Sequence, residues 1–169
     1  MAQEIERKFL LRETPISIGI IGNTIQQGYL SIDINGAEVR LRRINRPIHD
    51  DSNFLTIKAG AGLERTEVEI PLSIRHFQAL WPLTSERQLT KRRYCIDLVS
   101  GDCIEIDYFK GVLKGLVIAE VEFKSVELAQ AFMPPDWLSV VREVTDDPRY
   151  FNYRLAQIKT QDELAQLLP

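Results

Sequence analysis

The chain has 169 residues, of which 44% are hydrophobic and 27% charged, and its formal net charge is −3. These values are typical of one soluble globular domain and exclude a disordered chain. The absence of a Lys and Arg surplus argues against a nucleic-acid partner, because a phosphate backbone is bound by basic groups. No apolar run approaches the roughly 20 residues of a membrane helix, and the N-terminus lacks the apolar region of a signal peptide. We therefore expect a cytoplasmic protein with no membrane partner.

Polar and apolar residues alternate through most of the chain, which is typical of β-strands. The alternation predicts eight strands, at residues 4–11, 24–32, 37–43, 54–59, 64–71, 88–99, 103–109 and 117–124. Helical spacing occurs at residues 73–80 and 127–132. A C-terminal helix is expected after the cap Asp147, with Pro148 at its first position and its end at Leu155. Residues 162–168 are expected to form another short turn.

In nearly every predicted strand one face is charged and the other is apolar, because residues two apart lie on the same face. The charged faces together hold eight cations, Lys8, Arg40, Arg42, Lys58, Arg65, Lys91, Arg93 and Lys124. They also hold eight anions, Glu4, Glu6, Glu67, Glu69, Glu105, Asp107, Glu120 and Glu122.

Two arrangements fit this alternation. A sheet can pack its apolar face on a core and leave its charged face in water. Alternatively, the sheet curls on itself with the charged face inward, and eight strands are just enough to close a barrel. The second arrangement is favoured because the charged faces contain few Ser, Thr, Gln or Asn residues, and because the few helices cannot cover eight strands. The predicted fold class is α+β, dominated by β-structure.

An inward charged face must stay wet or hold ligands of both signs, since each unpaired buried ion costs several kcal/mol. Clustered carboxylates are typical ligands of a divalent cation, here Mg²⁺ or Mn²⁺, and guanidinium groups match phosphate oxygens. A metal-bound polyphosphate, which is a small anionic substrate, would satisfy both sets of side chains at once.

The order of short motifs along the chain resembles that of a known family. The chain begins with Glu4-Ile5-Glu6-Arg7-Lys8, an ExExK pattern. It continues with Gln27-Gly28-Tyr29-Leu30, Val39-Arg40-Leu41-Arg42, Thr56-Ile57-Lys58, Glu67-Val68-Glu69, Lys91-Arg92-Arg93-Tyr94, Glu105-Ile106-Asp107 and Glu120-Val121-Glu122. Two further segments, Leu80-Trp81-Pro82 and Arg149-Tyr150-Phe151-Asn152, also follow the motif order of that family. Over nearly its whole length the chain resembles the CYTH superfamily, or triphosphate tunnel metalloenzymes, and most closely its short bacterial members that look like inorganic triphosphatases.

The resemblance implies an eight-stranded antiparallel closed barrel with a charged tunnel and a few flanking helices, including a C-terminal helix. The tunnel domain is expected at residues 1–148. Residues 149–169 are expected to form a helical segment that packs on the barrel and is not a separate domain.

Carried over position by position, the resemblance also implies three sets of site residues. Glu4, Glu6 and Glu122 would hold the catalytic metal, with Glu120 beside them. Glu67, Glu69 and Asp107 would bind a second metal or orient the basic side chains. The triphosphate would be bound by Lys8, Arg40, Arg42, Lys58, Lys91 and Arg93.

The resemblance further implies that Tyr29, near Lys8, activates the attacking water. An unperturbed tyrosine has a pKa of about 10, so this role requires cations that favour the phenolate. The alternatives are a hydrogen-bonding or packing role for Tyr29 and an internal salt bridge for Lys8.

We therefore predict metal-dependent hydrolysis of a triphosphate, with inorganic tripolyphosphate cleaved to pyrophosphate and phosphate. The alternatives are a class IV adenylyl cyclase or thiamine-triphosphatase on the same scaffold, and a non-catalytic polyphosphate-binding module. A carrier of apolar ligands would require Ile5, Leu41 and Val121 to face the interior. The sequence leaves a homodimer open.

The hairpin between the sixth and seventh strands offers a local prediction. A turn around Ser100-Gly101-Asp102 that pairs odd residues with odd residues places Lys91, Arg93, Glu105 and Asp107 on one face. We expect this register, with an odd-membered loop or bulge and Gly101 in a left-handed conformation. Cys95 and Cys103 then do not face each other, so we expect no intrachain disulfide.

Overall fold

The computed structural model describes residues 2–12, 20–32, 37–59, 65–98, 101 and 103–169. Within these residues, nine strands form one antiparallel sheet. They are β1 (Ala2–Leu11), β2 (Asn23–Ile32), β3 (Glu38–Asn45), β4 (Ser52–Ala59), β5 (Arg65–Pro71), β6 (Gln88–Asp97), β7 (Cys103–Phe109), β8 (Val117–Phe123) and β9 (Val140–Glu143). The strand order is β5-β4-β3-β2-β6-β7-β8-β1-β9. The first eight strands correspond to the eight predicted ones, although the predicted ends at residues 64 and 99 lie outside the described residues.

The sheet is not closed into a barrel, so the predicted eight-stranded closed barrel is wrong. Among the described residues, its ends meet only through the pairs Ala2 with Glu67, Gln3 with Thr66 and Glu4 with Arg65. Beyond these pairs, the edge of β1 that faces away from β8 pairs instead with β9, through Phe9, Leu10 and Leu11. In a closed barrel of eight strands this edge of β1 would pair with β5. Here the ninth strand, β9, occupies it. With only four residues, β9 is too short to show a clear alternation in the sequence.

The sheet nevertheless curls so that its two faces differ. On the inner face, which lines the pocket described below, the charged residues of β1, β6, β7 and β8 each adjoin an apolar residue two positions away in the same strand. These are Leu10, Leu89, Phe109 and Ile118, and they are buried in one core with C-terminal residues that include Tyr150, Leu155 and Leu164. The inner face is therefore charged at one end and apolar at the other.

A second core covers the outer face of β1, β7 and β8. It contains Ile5, Phe9 and Val121 from the strands, with Ala129 and Leu138 packed over them. Ile5 is 5% exposed and Val121 is fully buried. The apolar residues of the alternating pattern thus lie on the outer face, as the inward charged face requires.

The helices are short. They are α1 (Ile74–Leu80), α2 (Val126–Ala131), α3 (Asn152–Leu155) and α4 (Gln161–Ala165), with 3₁₀ turns at Trp81–Thr84, Gly111–Leu113, Asp136–Leu138 and Pro148–Tyr150. The side chains of Ser73, Ser125 and Thr160 cap α1, α2 and α4 by accepting hydrogen bonds from backbone N–H groups. None of the helices in the described residues is long and apolar enough to cross a membrane.

The predicted C-terminal helix is interrupted. Asp147 caps its start as expected, because its carboxylate accepts the backbone N–H of Arg149 at 3.2 Å. The first turn is 3₁₀, and Phe151 then adopts an extended conformation (φ −70°, ψ 134°) before α3 begins. The extended residue places Phe151 and Asn152 against the inner face, where a continuous helix was expected.

The β6–β7 hairpin confirms one local prediction and corrects another. Odd residues face odd residues across it, as expected, and Gly101 has a φ of +86°. The pairing is shifted by two residues, because a turn centred on Gly101 predicts facing residue numbers that sum to about 202, whereas Cys95 and Glu105 sum to 200. Cys95 and Cys103 form a disulfide with their Cα atoms 5.9 Å apart, so the expectation of no intrachain disulfide is wrong. In the observed register Cys95 lies opposite Glu105 and Cys103 opposite Asp97, which makes the two cysteines diagonal neighbours on one face.

Candidate functional site

The inner face of the sheet surrounds a pocket of about 270 Å³, which we call the charged pocket. Eight strands contribute Glu6, Lys8, Gln27, Glu38, Arg40, Arg42, Lys58, Glu67, Glu69, Lys91, Arg93, Glu105, Glu120 and Glu122 to its lining. The remaining lining residues, Phe151, Asn152 and Tyr153, come from the C-terminal segment. Ile5, Leu41 and Val121 do not line it, which excludes an apolar interior of the kind that a carrier would need.

The side chains that line the charged pocket differ widely in exposure. The side chains of Glu105 and Glu69 are 40% and 35% exposed, whereas those of Lys8 and Lys91 are 8% and 1% exposed. We call the side with these exposed carboxylates the mouth, and the least exposed cations lie near the apolar end of the inner face. Lys91 lies where the charged and the apolar parts of the inner face meet, because its Nζ is 5.6 Å from the centre of the Phe109 ring.

Buried carboxylates neutralise the cations of β6. Asp107 is fully buried and accepts hydrogen bonds from Lys91 at 2.5 Å and from Arg93 at 2.6–2.7 Å. Arg93 also donates to Glu120 at 2.5 Å and to Glu105. Burial works against the charge of Arg93, but Asp107 and Glu120 hold its pKa well above the usual value. Burial and the neighbouring Arg93 lower the pKa of Lys91.

Lys8 is held by two carboxylates of the same wall. Its Nζ lies 2.9 Å from Glu120 and 3.1 Å from Glu6. Burial opposes the charge of Lys8, but Glu120 and Glu6 outweigh it and raise the pKa of the ammonium group. Lys8 is therefore a cation at any ordinary pH, which suits binding an anion and does not suit accepting a proton.

The opposite wall of the charged pocket, on β3 to β5, holds Arg40, Arg42 and Lys58. Lys58 lies 3.0 Å from Glu67, and Arg40 lies 3.5 Å from Glu67. Arg42 lies 3.4 Å from Glu69, which is longer than a charge-assisted hydrogen bond of about 2.7–2.9 Å. The buried Nε of Arg42 has no hydrogen-bond partner among the described residues, and burial and Arg40 lower the pKa of the group. Arg42 thus offers donors to an anion that enters the pocket.

The predicted metal ligands fall into two groups. Glu6 and Glu122 are directly opposite each other on β1 and β8, and both line the charged pocket. Like charges at directly opposed positions destabilise a sheet, so this pair fits a divalent cation bound between the two carboxylates. Glu120 lies on the same face and is bound by both Lys8 and Arg93, whereas Glu6 contacts Lys8 at 3.1 Å. The side chain of Glu4 lies outside the described part of the structure.

The residues predicted for a second metal are separated. Glu67 and Glu69 line the charged pocket on β5, next to Arg40, Arg42 and Lys58. Asp107 lies on β7, across the pocket from β5, and is bound by Lys91 and Arg93. Both roles predicted for Asp107, in binding a second metal or in orienting basic side chains, stay predictions.

Tyr29 does not line the charged pocket, because it lies in the apolar core of the inner face. Its hydroxyl accepts a hydrogen bond from the Gln27 amide at 3.2 Å, and its ring packs edge-to-face on Tyr153. Burial and the carboxylate of Glu38 raise the pKa of the phenol, and the nearby Arg40 and Lys8 only partly compensate. Tyr29 is therefore a neutral phenol at neutral pH.

Sequence reasoning missed several lining residues. Glu38 is buried and has the same parity as Arg40 and Arg42, so the alternation could have identified it. Glu105 was placed on the correct face but not in the site. No strand pattern indicates Gln27 in the same way, because it is not charged. The C-terminal residues Phe151, Asn152 and Tyr153 lie outside the strands, so alternation could not identify them, although Phe151 and Asn152 belong to the motif Arg149-Tyr150-Phe151-Asn152.

Comparison with known proteins gives concordant results. No family model matches the chain. The chain is 41% identical over 153 residues to an inorganic triphosphatase of Nitrosomonas europaea, covering 90% of this chain and 96% of that protein. It is 33% identical over 159 residues to an inorganic triphosphatase of Acetivibrio thermocellus, covering 93% of this chain and 95% of that protein.

Solved structures agree with these sequence similarities. The crystal structure of an inorganic triphosphatase has a TM-score of 0.67 and 38% identity, covering 95% of this chain and 98% of that chain. A putative adenylate cyclase of Bacillus halodurans has a TM-score of 0.54 and 16% identity, covering 77% of this chain and 86% of that chain. At that identity the second similarity concerns the fold alone.

Proposed function

Because the chain belongs to the inorganic triphosphatases of the CYTH superfamily, we propose that it hydrolyses inorganic tripolyphosphate to pyrophosphate and phosphate in the charged pocket. The observation that carries this proposal is the lining itself. Among the described residues, six cationic and seven carboxylate side chains converge on about 270 Å³. This volume lies just below the roughly 300–1,000 Å³ of pockets for drug-sized ligands, so it suits a compact polyanion.

A divalent cation, Mg²⁺ or Mn²⁺, fits the opposed carboxylates Glu6 and Glu122, and Glu4 is expected to complete the set. When bound, such an ion neutralises charge on phosphate oxygens and fixes their position. Glu67 and Glu69 are the remaining candidates for a second ion. Glu120 is more suited to holding Lys8 and Arg93 in place, because it already contacts both.

The basic residues bind the triphosphate and stabilise the charge that develops during hydrolysis. Arg42 and Arg40 face the bound anion from one wall, with Lys58 beside them, and Lys8, Lys91 and Arg93 face it from the other. Water attacks a terminal phosphorus, the bridging P–O bond breaks, and pyrophosphate leaves. In phosphoryl transfer the protein contributes mainly position and electrostatic stabilisation, and buried, ion-paired cations supply both without rearranging.

The role of Tyr29 as the base that activates water stays a prediction. Its phenol must lose a proton to act as a base, and the raised pKa makes this loss rare at neutral pH. Lys8 cannot replace it, because its own pKa is raised. The proposal that Tyr29 is the base therefore implies an enzyme that works best in alkaline solution.

The remaining alternatives are separated by products. Cyclic AMP and pyrophosphate from ATP would indicate an adenylyl cyclase, and a strong preference for thiamine triphosphate would indicate a thiamine-triphosphatase. Tight binding of tripolyphosphate without turnover would indicate a binding module. The absence of a nucleic-acid partner, a cytoplasmic location and a homodimer stay predictions from the sequence.

The test is phosphate release from tripolyphosphate with Mg²⁺ or Mn²⁺, before and after EDTA, in the wild type and in Glu6→Gln and Glu122→Gln. Each substitution keeps the shape of the side chain and removes one charge from the proposed metal site. We expect kcat to fall by about 100-fold or more, since outer and inner metal ligands commonly contribute on this scale. The matched control is Glu127→Gln on the exposed side of α2, which should leave kcat unchanged. Hydrolysis that persists in EDTA or in both pocket variants would refute the proposal.

A further inference from the structure

The C-terminal segment lines the charged pocket beside the apolar end of the inner face. Of the described residues that line the pocket, only Phe151, Asn152 and Tyr153 are not carried by a strand, and they provide the only aromatic rings among them. Tyr153 also packs on the apolar core of the inner face, where its ring contacts that of Tyr29. We call Phe151, Asn152 and Tyr153 the floor of the pocket.

The floor is held firmly in place. Tyr150, which directly precedes it, is 1% exposed, and its hydroxyl donates to the carbonyl of Leu167 at 2.7 Å and accepts from Arg142 at 2.5 Å. Within the floor, the rings of Phe151 and Tyr153 are 5.9 Å apart. Arg154 lies 5.3 Å from the Tyr153 ring. The aromatic surfaces are thus engaged by other protein groups, so they serve as a wall and not as a platform for a stacked base.

The charges above the floor define how a linear polyphosphate enters. Lys8 and Lys91 are buried and stand two positions from Leu10 and Leu89 of the core on which Tyr153 packs, whereas the side chains of Glu69 and Glu105 are 35% and 40% exposed. The terminal phosphate of a chain carries the most negative charge, so it is drawn past the mouth to the cations. Phosphates farther along the chain remain beside carboxylates, where they are disfavoured.

From this arrangement we propose that the floor acts as a depth stop that sets which phosphoanhydride bond is cleaved. A linear polyphosphate enters with a free terminal phosphate and advances until that phosphate reaches the floor. The bond between the terminal and the second phosphate then lies at the reacting position. Water adds to the terminal phosphorus, the bridging P–O bond breaks, and the remainder of the chain leaves with the bridging oxygen. This inference rests on the proposed hydrolysis of tripolyphosphate.

Linear tetrapolyphosphate provides a direct readout, because its two types of bond give different products. Cleavage of an end bond gives orthophosphate and tripolyphosphate, whereas cleavage of the central bond gives two pyrophosphates. The initial products, measured by ion chromatography before tripolyphosphate is consumed, therefore report the depth of insertion. For the wild type we expect orthophosphate and tripolyphosphate in equal amounts.

The floor variant is Phe151→Ala, which removes the ring while the pocket charges stay in place. A chain that advances farther presents its central bond, so we expect the initial ratio of pyrophosphate to tripolyphosphate to rise by about tenfold, because small displacements of reacting atoms change rates strongly. The matched control is Phe132→Ala, which removes another half-buried ring, one that contacts Phe9 and Phe123 on the outer face. It should leave the product ratio unchanged. If Phe151→Ala does not fold, Phe151→Leu should give a smaller rise in the same direction.

The outcomes separate this inference from the function on which it rests. A wild type that releases no phosphate from tripolyphosphate with a divalent metal would refute the proposed function. A wild type that hydrolyses tripolyphosphate, but gives the same tetrapolyphosphate products as Phe151→Ala, would refute the depth stop alone. Pyrophosphate as the main initial product of the wild type would also refute it.

Discussion

Tyr29 illustrates how a side chain can match a motif while its surroundings change its chemistry. Its neighbours Arg40 and Lys8 would favour a phenolate, as the sequence-based hypothesis requires. Its fully buried ring and the carboxylate of Glu38 have the larger opposite effect. Burial disfavours a charged phenolate because the protein interior solvates it poorly. The balance between these contributions depends on depth within the fold, which a motif does not encode.

The pH dependence of hydrolysis tests the role of Tyr29. The active form of a tyrosine base is the deprotonated phenolate, and a raised pKa moves its formation to higher pH. We therefore expect kcat of the wild type to keep rising with pH through the alkaline range, and Tyr29→Phe to lose this rise. The measurement is a pH–rate profile of both proteins, with folding checked by circular dichroism at each pH. A wild-type optimum at acidic pH, or the same alkaline rise in Tyr29→Phe, would exclude Tyr29 as the base.

Most of the pocket residues could be predicted because parity along a strand is a strict geometric rule. Glu6, Lys8, Arg40, Arg42 and Lys58 all lie where the two-residue period places them. Parity does not give depth, however. It treats Asp107, which is fully buried beneath Lys91 and Arg93, in the same way as Glu105 near the mouth. Which carboxylates pair with cations and which remain for a metal depends on side-chain contacts that the sequence pattern does not contain.

At the scale of elements, a close contact fixes the 3₁₀ turn Trp81–Thr84 against β2. Gly28 lies in β2 between the inner-face residues Gln27 and Tyr29, so a side chain at this position would point to the outer face. A Cβ atom at Gly28 would lie 2.3 Å from Thr84 Oγ1 and 2.6 Å from Thr84 Cβ. Thr84 itself is fully buried and bonded to the Trp81 carbonyl at 2.7 Å. The strand and the turn therefore pack too closely for any side chain at residue 28.

This contact predicts that Gly28→Ala lowers the free energy of unfolding by about 1–3 kcal/mol, as is usual for overpacking. Urea denaturation followed by circular dichroism measures the change. Thr84→Gly removes the clashing atoms, so the double variant should lose less stability than the sum of the two single variants. Additive losses, or an unchanged midpoint in Gly28→Ala, would contradict a direct clash.

Elements that depend on long-range packing were the ones that the sequence did not predict correctly. The first eight strands follow from alternation, but β9 is only four residues long, and its pairing with β1 prevents the closed barrel. The predicted start of the C-terminal helix at Pro148 is correct, because Asp147 caps the first turn there. Its interruption at Phe151 follows from the anchoring of Tyr150 in the core, which is a tertiary contact.

At the scale of the whole molecule, a net charge of −3 conceals an ordered arrangement of charge. Six cations and seven carboxylates line one pocket among the described residues, so without a metal this part of the lining has no excess of positive charge to hold a polyanion. The more exposed carboxylates at the mouth repel an entering triphosphate, and the opposed Glu6 and Glu122 repel each other. A divalent cation relieves both repulsions, and a triphosphate in turn supplies ligands to the cation.

Metal and triphosphate should therefore bind cooperatively, each raising the affinity of the other by the same factor, within a typical range of about 5–150-fold. Calorimetric titrations with Mg²⁺ and a non-hydrolysable methylene analogue of tripolyphosphate, each added alone and in the presence of the other, measure this factor without turnover. Thermal unfolding provides a second readout, since ligands that bind only the folded state raise the midpoint. In Glu122→Gln the carboxylate pair is lost, so the mutual enhancement should shrink while the analogue still binds the basic residues. Equal affinity for the analogue with and without Mg²⁺ would mean that the basic residues hold the polyanion by themselves and that the carboxylates of the pocket serve only to pair with them.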